Sequence, residues 1–134
     1  MLLAVIDTNV LVSAFWAETG YPAKILEAVL NNKITACYDE RIFEEYADVL
    51  KREKFGFDAN DVELLLSQIQ KNGLNVSLIG LSKLDTDFNF PDKDDVPFYE
   101  TARACGCRLI TGNAKHFPAD GTIISPAEFC KNFL

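Results

Sequence analysis

Leu2-Leu3-Ala4-Val5-Ile6-Asp7-Thr8-Asn9 is the stretch that decides the fold. Leu2 to Ile6 is continuously apolar, as in a strand buried on both faces of a parallel sheet, not the alternation of a half-exposed strand. Asp7 ends the run abruptly. A carboxylate therefore stands where a strand stops, the edge at which open α/β sheets bind their ligands. A helix suggested by Val10 to Phe15 leaves a second reading of Asp7 open, that of a helix cap.

Working outward, strand and helix signals alternate. Tyr21-Pro22 opens a helix with Ile25, Leu26, Val29 and Leu30 at helical spacing, ending near Asn31-Asn32. Ile34 to Tyr38 reads as a second strand. Asp39 caps a helix running to about Arg52 on an apolar face of Ile42, Phe43, Tyr46, Val49 and Leu50. A helix begins near Asn60-Asp61, with Glu63 three residues after Asn60 in capping-box fashion, and stops near Asn72-Gly73. A third strand is expected at Val76 to Ile79, a loop from Gly80 to Asp94, and a helix from Val96 to Cys105. A fourth strand follows at Cys107 to Thr111, and a fifth near Thr122 to Ile124. Ser125-Pro126-Ala127-Glu128 opens a closing helix over Phe129, Phe133 and Leu134. The pattern predicts a single domain over residues 1–134. Its expected architecture is a three-layer, Rossmann-like α/β fold with a mostly parallel sheet of four to five strands flanked by helices.

Composition narrows the chemistry. The chain has 134 residues, 49% of them hydrophobic, enough for a sizeable core. Its longest apolar run, Met1 to Ile6, falls far short of the roughly 18 to 20 residues that cross a bilayer. No basic residue precedes Lys24, so a secretory signal lacks its charged start, and the expectation is a cytoplasmic protein with no membrane partner. One histidine excludes an H-E-x-x-H zinc site. Neither G-x-G-x-x-G nor G-x-x-x-x-G-K-[ST] occurs, which removes the warrant for dinucleotide or P-loop phosphate binding. Cys37, Cys105, Cys107 and Cys130 read as reduced core residues in preference to zinc ligands. The chemistry is left to carboxylates.

Few acidic residues stand where a strand has ended. Besides Asp7 there are Asp92, Asp94 and Asp95 at the close of the long loop, and Glu45, which borders the apolar face of its helix while Glu44 points to solvent. Taken singly, the loop cluster fits a solvated helix N-terminus and Glu45 a solvated helix face. Thr111-Gly112-Asn113 places a hydroxyl and an amide on the same edge. Carboxylates brought together repel unless a cation lies among them, and the hard cation they suit is Mg²⁺ or Mn²⁺. Such sites serve phosphodiester hydrolysis.

Val5 to Val12 (V-I-D-T-N-V-L-V), Glu44 to Leu50 (E-E-Y-A-D-V-L), Asp94 to Ala102 (D-D-V-P-F-Y-E-T-A), Leu109 to Asn113 (L-I-T-G-N) and Ile124 to Phe129 (I-S-P-A-E-F) together resemble the PIN domain. More narrowly, the chain resembles the PIN-family toxins of toxin-antitoxin systems, the VapC-type ribonucleases. The resemblance implies an Mg²⁺- or Mn²⁺-dependent endoribonuclease acting on RNA, inhibited by an antitoxin protein and often a homodimer. It implies Asp7, Glu45 and Asp95 as catalytic metal ligands, Asn9, Thr111 and Asn113 as supporting positions, and Asp92 and Asp94 as possible additional acidic groups. Asn113 departs from the Asp that many members carry, and an amide brings no charge to a second metal.

Two other readings compete. One is a non-catalytic RNA- or protein-binding module with a weakened site, favoured by Asn113. The other, an Asp-based phosphotransfer domain, fits poorly because D-x-N stands where D-x-D is expected. With 13 Lys and Arg against 20 Asp and Glu, the net charge of −7 argues against tight non-specific nucleic-acid binding. Local basic residues such as Lys51, Arg52, Lys54, Lys93, Arg103 and Lys115 could still contact RNA.

Overall fold

The computed structural model describes residues 1–78 and 87–134. Its elements are β1 (Leu3–Ile6), α1 (Thr8–Trp16), α2 (Tyr21–Leu30), β2 (Thr35–Tyr38), α3 (Glu40–Leu50) and α4 (Ala59–Asn72), then β3 (Leu74–Asn75), α5 (Val96–Cys105), β4 (Arg108–Ile110), β5 (Ile123–Ile124) and α6 (Pro126–Phe133). Short 3₁₀ turns stand at Val76–Leu78, Lys93–Asp95 and Ala114–His116. The five strands pair in parallel in the order β3-β2-β1-β4-β5. The expected α/β fold is observed.

β1 holds the centre of the sheet, with Ala4 opposite both Ala36 of β2 and Arg108 of β4. Three consecutive β1 residues, Ala4, Val5 and Ile6, are 0%, 0% and 1% exposed. Since consecutive strand residues point to opposite faces, helices must cover both. α5 lies against β1, β2 and β4, while α4 packs on β2 and β3. Burying each large aliphatic side chain of this core contributes about 1.5–3 kcal/mol. The strand order reverses direction between β1 and β4, so the crevice beyond their carboxyl ends lies at the switch point of the sheet.

α3 follows the expected period: Ile42, Tyr46 and Leu50 are buried at four-residue spacing, and the Asp39 carboxylate caps the helix by accepting from the Ile42 amide at 3.0 Å. The Tyr46 hydroxyl donates to the Ile6 carbonyl, pinning α3 over the end of β1. Ser125 caps α6 by accepting from the Glu128 amide.

The structure corrects the sequence reading at three places. α4 starts one residue earlier than Asn60, because Asp58 is the cap and accepts from the Asn60 and Asp61 amides. Glu63 is not part of a capping box and pairs with Lys51 at 2.8 Å. The third strand is Leu74–Asn75, not Val76 to Ile79. The Asn75 side chain accepts from the Ser77 amide, turning the backbone out of the ladder into a 3₁₀ turn. Ile79 and residues 80–86 of the expected loop lie outside the described residues. The end of that loop, Lys93–Asp95, is a 3₁₀ turn, started by Asp92 accepting from the Asp94 amide at 2.9 Å.

Candidate functional site

Asp7 follows β1 directly and is 5% exposed. It occupies the N-cap position of α1 but its side chain makes no cap hydrogen bond. Instead Thr111, just beyond β4, donates its hydroxyl to Asp7 Oδ2 at 2.7 Å. The same hydroxyl oxygen accepts from the Asn113 amide at 3.0 Å, which fixes its orientation. The helix-cap reading of Asp7 thus gives way to a carboxylate aimed across the sheet edge.

Two further carboxylates are held in the same manner. The Thr8 hydroxyl donates to Glu45 Oε2, tying the start of α1 to the flank of α3. His116 Nδ1 lies 3.0 Å from Asp95 Oδ2, at the N-terminus of α5, and Asp95 also makes no side-chain cap bond. Each carboxylate has one oxygen engaged by a protein group, which sets the direction of the other. Glu44 is exposed, as its place on the helix predicts.

The charges sense one another. Burial pushes the Asp7 carboxyl up to about 6; the Thr111 hydrogen bond opposes this, and the charges of Asp95 and Glu45 add to it. Burial also raises Glu45, opposed by Thr8 and reinforced by Asp94, Asp95 and Asp92. Asp95 is raised by burial, opposed by His116 and reinforced by Asp92 and Asp94. This is the signature of a carboxylate cluster short of positive charge.

The donor set fits a hard divalent cation. Oxygen donors predominate, and the side-chain oxygen of Asn9 is buried with no hydrogen-bond partner among the described residues. Asp7, Glu45 and Asp95 do not form a three-ligand group with all donor atoms within 4.8 Å; among the described residues only Cys37, Cys105 and Cys107 do. A hard divalent cation held by carboxylates spaced in this way would complete its shell with water.

The remaining expected positions divide. Asp92 is occupied as the cap of the 3₁₀ turn, and both it and Asp94 are exposed, acting on the site through charge. Asn113 is exposed, and its contribution here is its backbone amide. His116, the single histidine and given no place in the site by the sequence reading, stands against Asp95. Thr8 was missed as well, though its place in Asp7-Thr8-Asn9 was a signal. Arg41 also escaped notice: it binds Asp39 at 2.7 Å and Glu100 of α5 at 2.9 Å.

Of the basic residues, Lys51, Arg52 and Arg103 are paired with Glu63, Asp48 and Asp120. Lys93 and Arg41 line an open cleft of about 440 Å³ with Asn89, Phe90, Val96 and Pro97, beside the acidic turn. A larger cleft of about 700 Å³ between α2 and α6 contains none of the carboxylates of the site.

No helix among the described residues is long and apolar enough to cross a membrane. No curated protein and no solved structure matches the chain. The family pattern of the PIN domain matches residues 4–115, from β1 through β4 to the turn that carries Asn113. PIN domains are in general nucleases that use divalent metal ions. With most of its length matched, the chain belongs to the PIN-domain family.

Proposed function

We propose that this protein is an endoribonuclease, with Asp7, Glu45 and Asp95 as its catalytic carboxylates and Mg²⁺ or Mn²⁺ as its cofactor. The observation that carries the reading is the buried Asp7 carboxylate beyond β1, held across the sheet edge by the Thr111 hydroxyl, with Glu45 and Asp95 near enough for their charges to act on it. When bound, a divalent cation supplies charge against these carboxylates and Lewis acidity toward a phosphodiester. Thr111, Thr8 and His116 orient the three carboxylates. Asn9 offers a further oxygen donor. Asp92 and Asp94 deepen the negative field, and Lys93 offers charge to substrate phosphates along the adjoining cleft.

The narrower reading is a toxin of a toxin-antitoxin pair, working in the cytoplasm as a homodimer and held inactive by an antitoxin protein. Its support is the motif resemblance across one domain spanning residues 1–134. The exposed Asn113, where a fourth carboxylate would stand, favours a second reading as an RNA- or protein-binding module.

The test is cleavage of a structured RNA by the purified protein with Mn²⁺, Mg²⁺ or EDTA, beside Asp7→Asn. Metal-dependent cutting that disappears in the variant is the expected result. A folded, metal-replete protein that leaves RNA intact would transfer the reading to the binding module.

A further inference from the structure

Cys37, Cys105 and Cys107 bring three sulfur atoms within 4.8 Å of one another. They come from two parts of the chain. Cys37 lies in β2, one residue past the Ala4–Ala36 pair. Cys105 ends α5 and Cys107 precedes β4, with Gly106 between them in the left-handed region at φ 64°. That turn reverses the chain and lets residues two apart present their thiols to one point, a conformation that favours glycine.

We propose that Cys37, Cys105 and Cys107 form a binding site for one soft divalent cation of the Zn²⁺ and Cd²⁺ class, separate from the carboxylate edge. Metal–sulfur bonds of about 2.3 Å require sulfurs about 3.8–4.0 Å apart, so closing this cluster around an ion asks for a contraction of about 1 Å or less. Thiolate ligands select soft cations where carboxylates select hard ones. Cys37 is fully buried and anchors the site, whereas Cys105 and Cys107 are half-buried and leave it open to solvent. The sulfurs already interact: a hydrogen bond between Cys37 and Cys107 lowers the Cys107 thiol from its ordinary value and raises that of Cys37. α5 has ten residues, about 15 Å at 1.5 Å per residue, and carries Asp95 at its other end, so the two sites are spatially distinct. On binding, each coordinating thiol exchanges its S–H bond for a metal–sulfur bond and gives a proton to solvent, with no change of oxidation state.

The fourth cysteine supplies an internal control. Cys130 lies in α6, and its thiol faces the Tyr21 carbonyl at 3.6 Å. The experiment titrates Cd²⁺ into the full chain, kept anaerobic in a non-thiol reductant, and reads the thiolate-to-metal charge-transfer absorption, which carboxylates do not give. The expected result is saturation at one ion per chain, a loss of affinity of tenfold or more in Cys105→Ser and in Cys107→Ser, and full retention in Cys130→Ser and Asp7→Asn. Circular dichroism verifies that each variant is folded. Mass mapping of alkylation in the wild type reads the site without substitution, with Cd²⁺ slowing modification of Cys105 and Cys107. A missing band, a band insensitive to the two substitutions, or unchanged alkylation overturns the proposal.

Discussion

Thr111 donates its hydroxyl to the Asp7 carboxylate at 2.7 Å, although 104 residues separate them. β1 and β4 are neighbours in the sheet, so the residues that follow them meet beyond its edge. Thr111→Val keeps the shape but leaves Asp7 without its donor and the Asn113 amide without its acceptor. The Asp7 carboxyl then titrates above its present value of about 6, and divalent affinity at neutral pH falls by about 10–100-fold. Carboxyl NMR titration and calorimetry read the two effects. Thr111→Ser restores both, and an unshifted Asp7 titration in the valine variant would remove Thr111 from the site.

Asp7 itself weakens the metal-free fold at neutral pH. Its carboxyl is raised from 3.8 to about 6, so between these values the folded state binds more protons than the unfolded. Stability is therefore greatest below about pH 3.8 with respect to this group and declines as pH rises through 6. At pH 7 the penalty is on the order of 3 kcal/mol. Asp7→Asn is expected to raise the urea midpoint at pH 7 in EDTA, with the gain shrinking toward pH 4, while RNA cleavage is lost. A destabilised variant at pH 7 would contradict the electrostatic account.

His116 opposes the burial that raises Asp95. In His116→Ala the Asp95 carboxyl rises further, so the acid limb of metal binding and of RNA cleavage moves to higher pH. Divalent affinity at pH 6 falls about tenfold and recovers as pH increases. A uniform loss at every pH would instead mark His116 as a structural support.

Gly73 ends α4 where two backbones converge. A Cβ added there would stand 2.4 Å from the Ile69 carbonyl oxygen and 2.7 Å from that of Ala36. Neither oxygen can move without disturbing α4 or β2, so Gly73→Ala is expected to cost about 1–3 kcal/mol. Urea unfolding measures it, and a neutral substitution would show that β3 shifts freely.

The sequence by itself determined the local elements and their likeness to a known family. Continuous apolar residues from Leu2 to Ile6 specify a strand covered on both faces, and their end at Asp7 places a carboxylate at the binding edge. Helical spacing in α3 orients Glu45 away from Glu44, and caps at Asp39 and Ser125 mark helix starts. These signals are local, carried by periodicity and by backbone groups within a few residues. Only the tertiary structure decided which oxygen of Asp7 meets Thr111, that His116 stands against Asp95, that Asp92 is spent on a turn, and that Cys37 joins Cys105 and Cys107. Strand order brings such residues together, and strand order follows from how the whole sheet buries its faces, so no spacing along the chain records it.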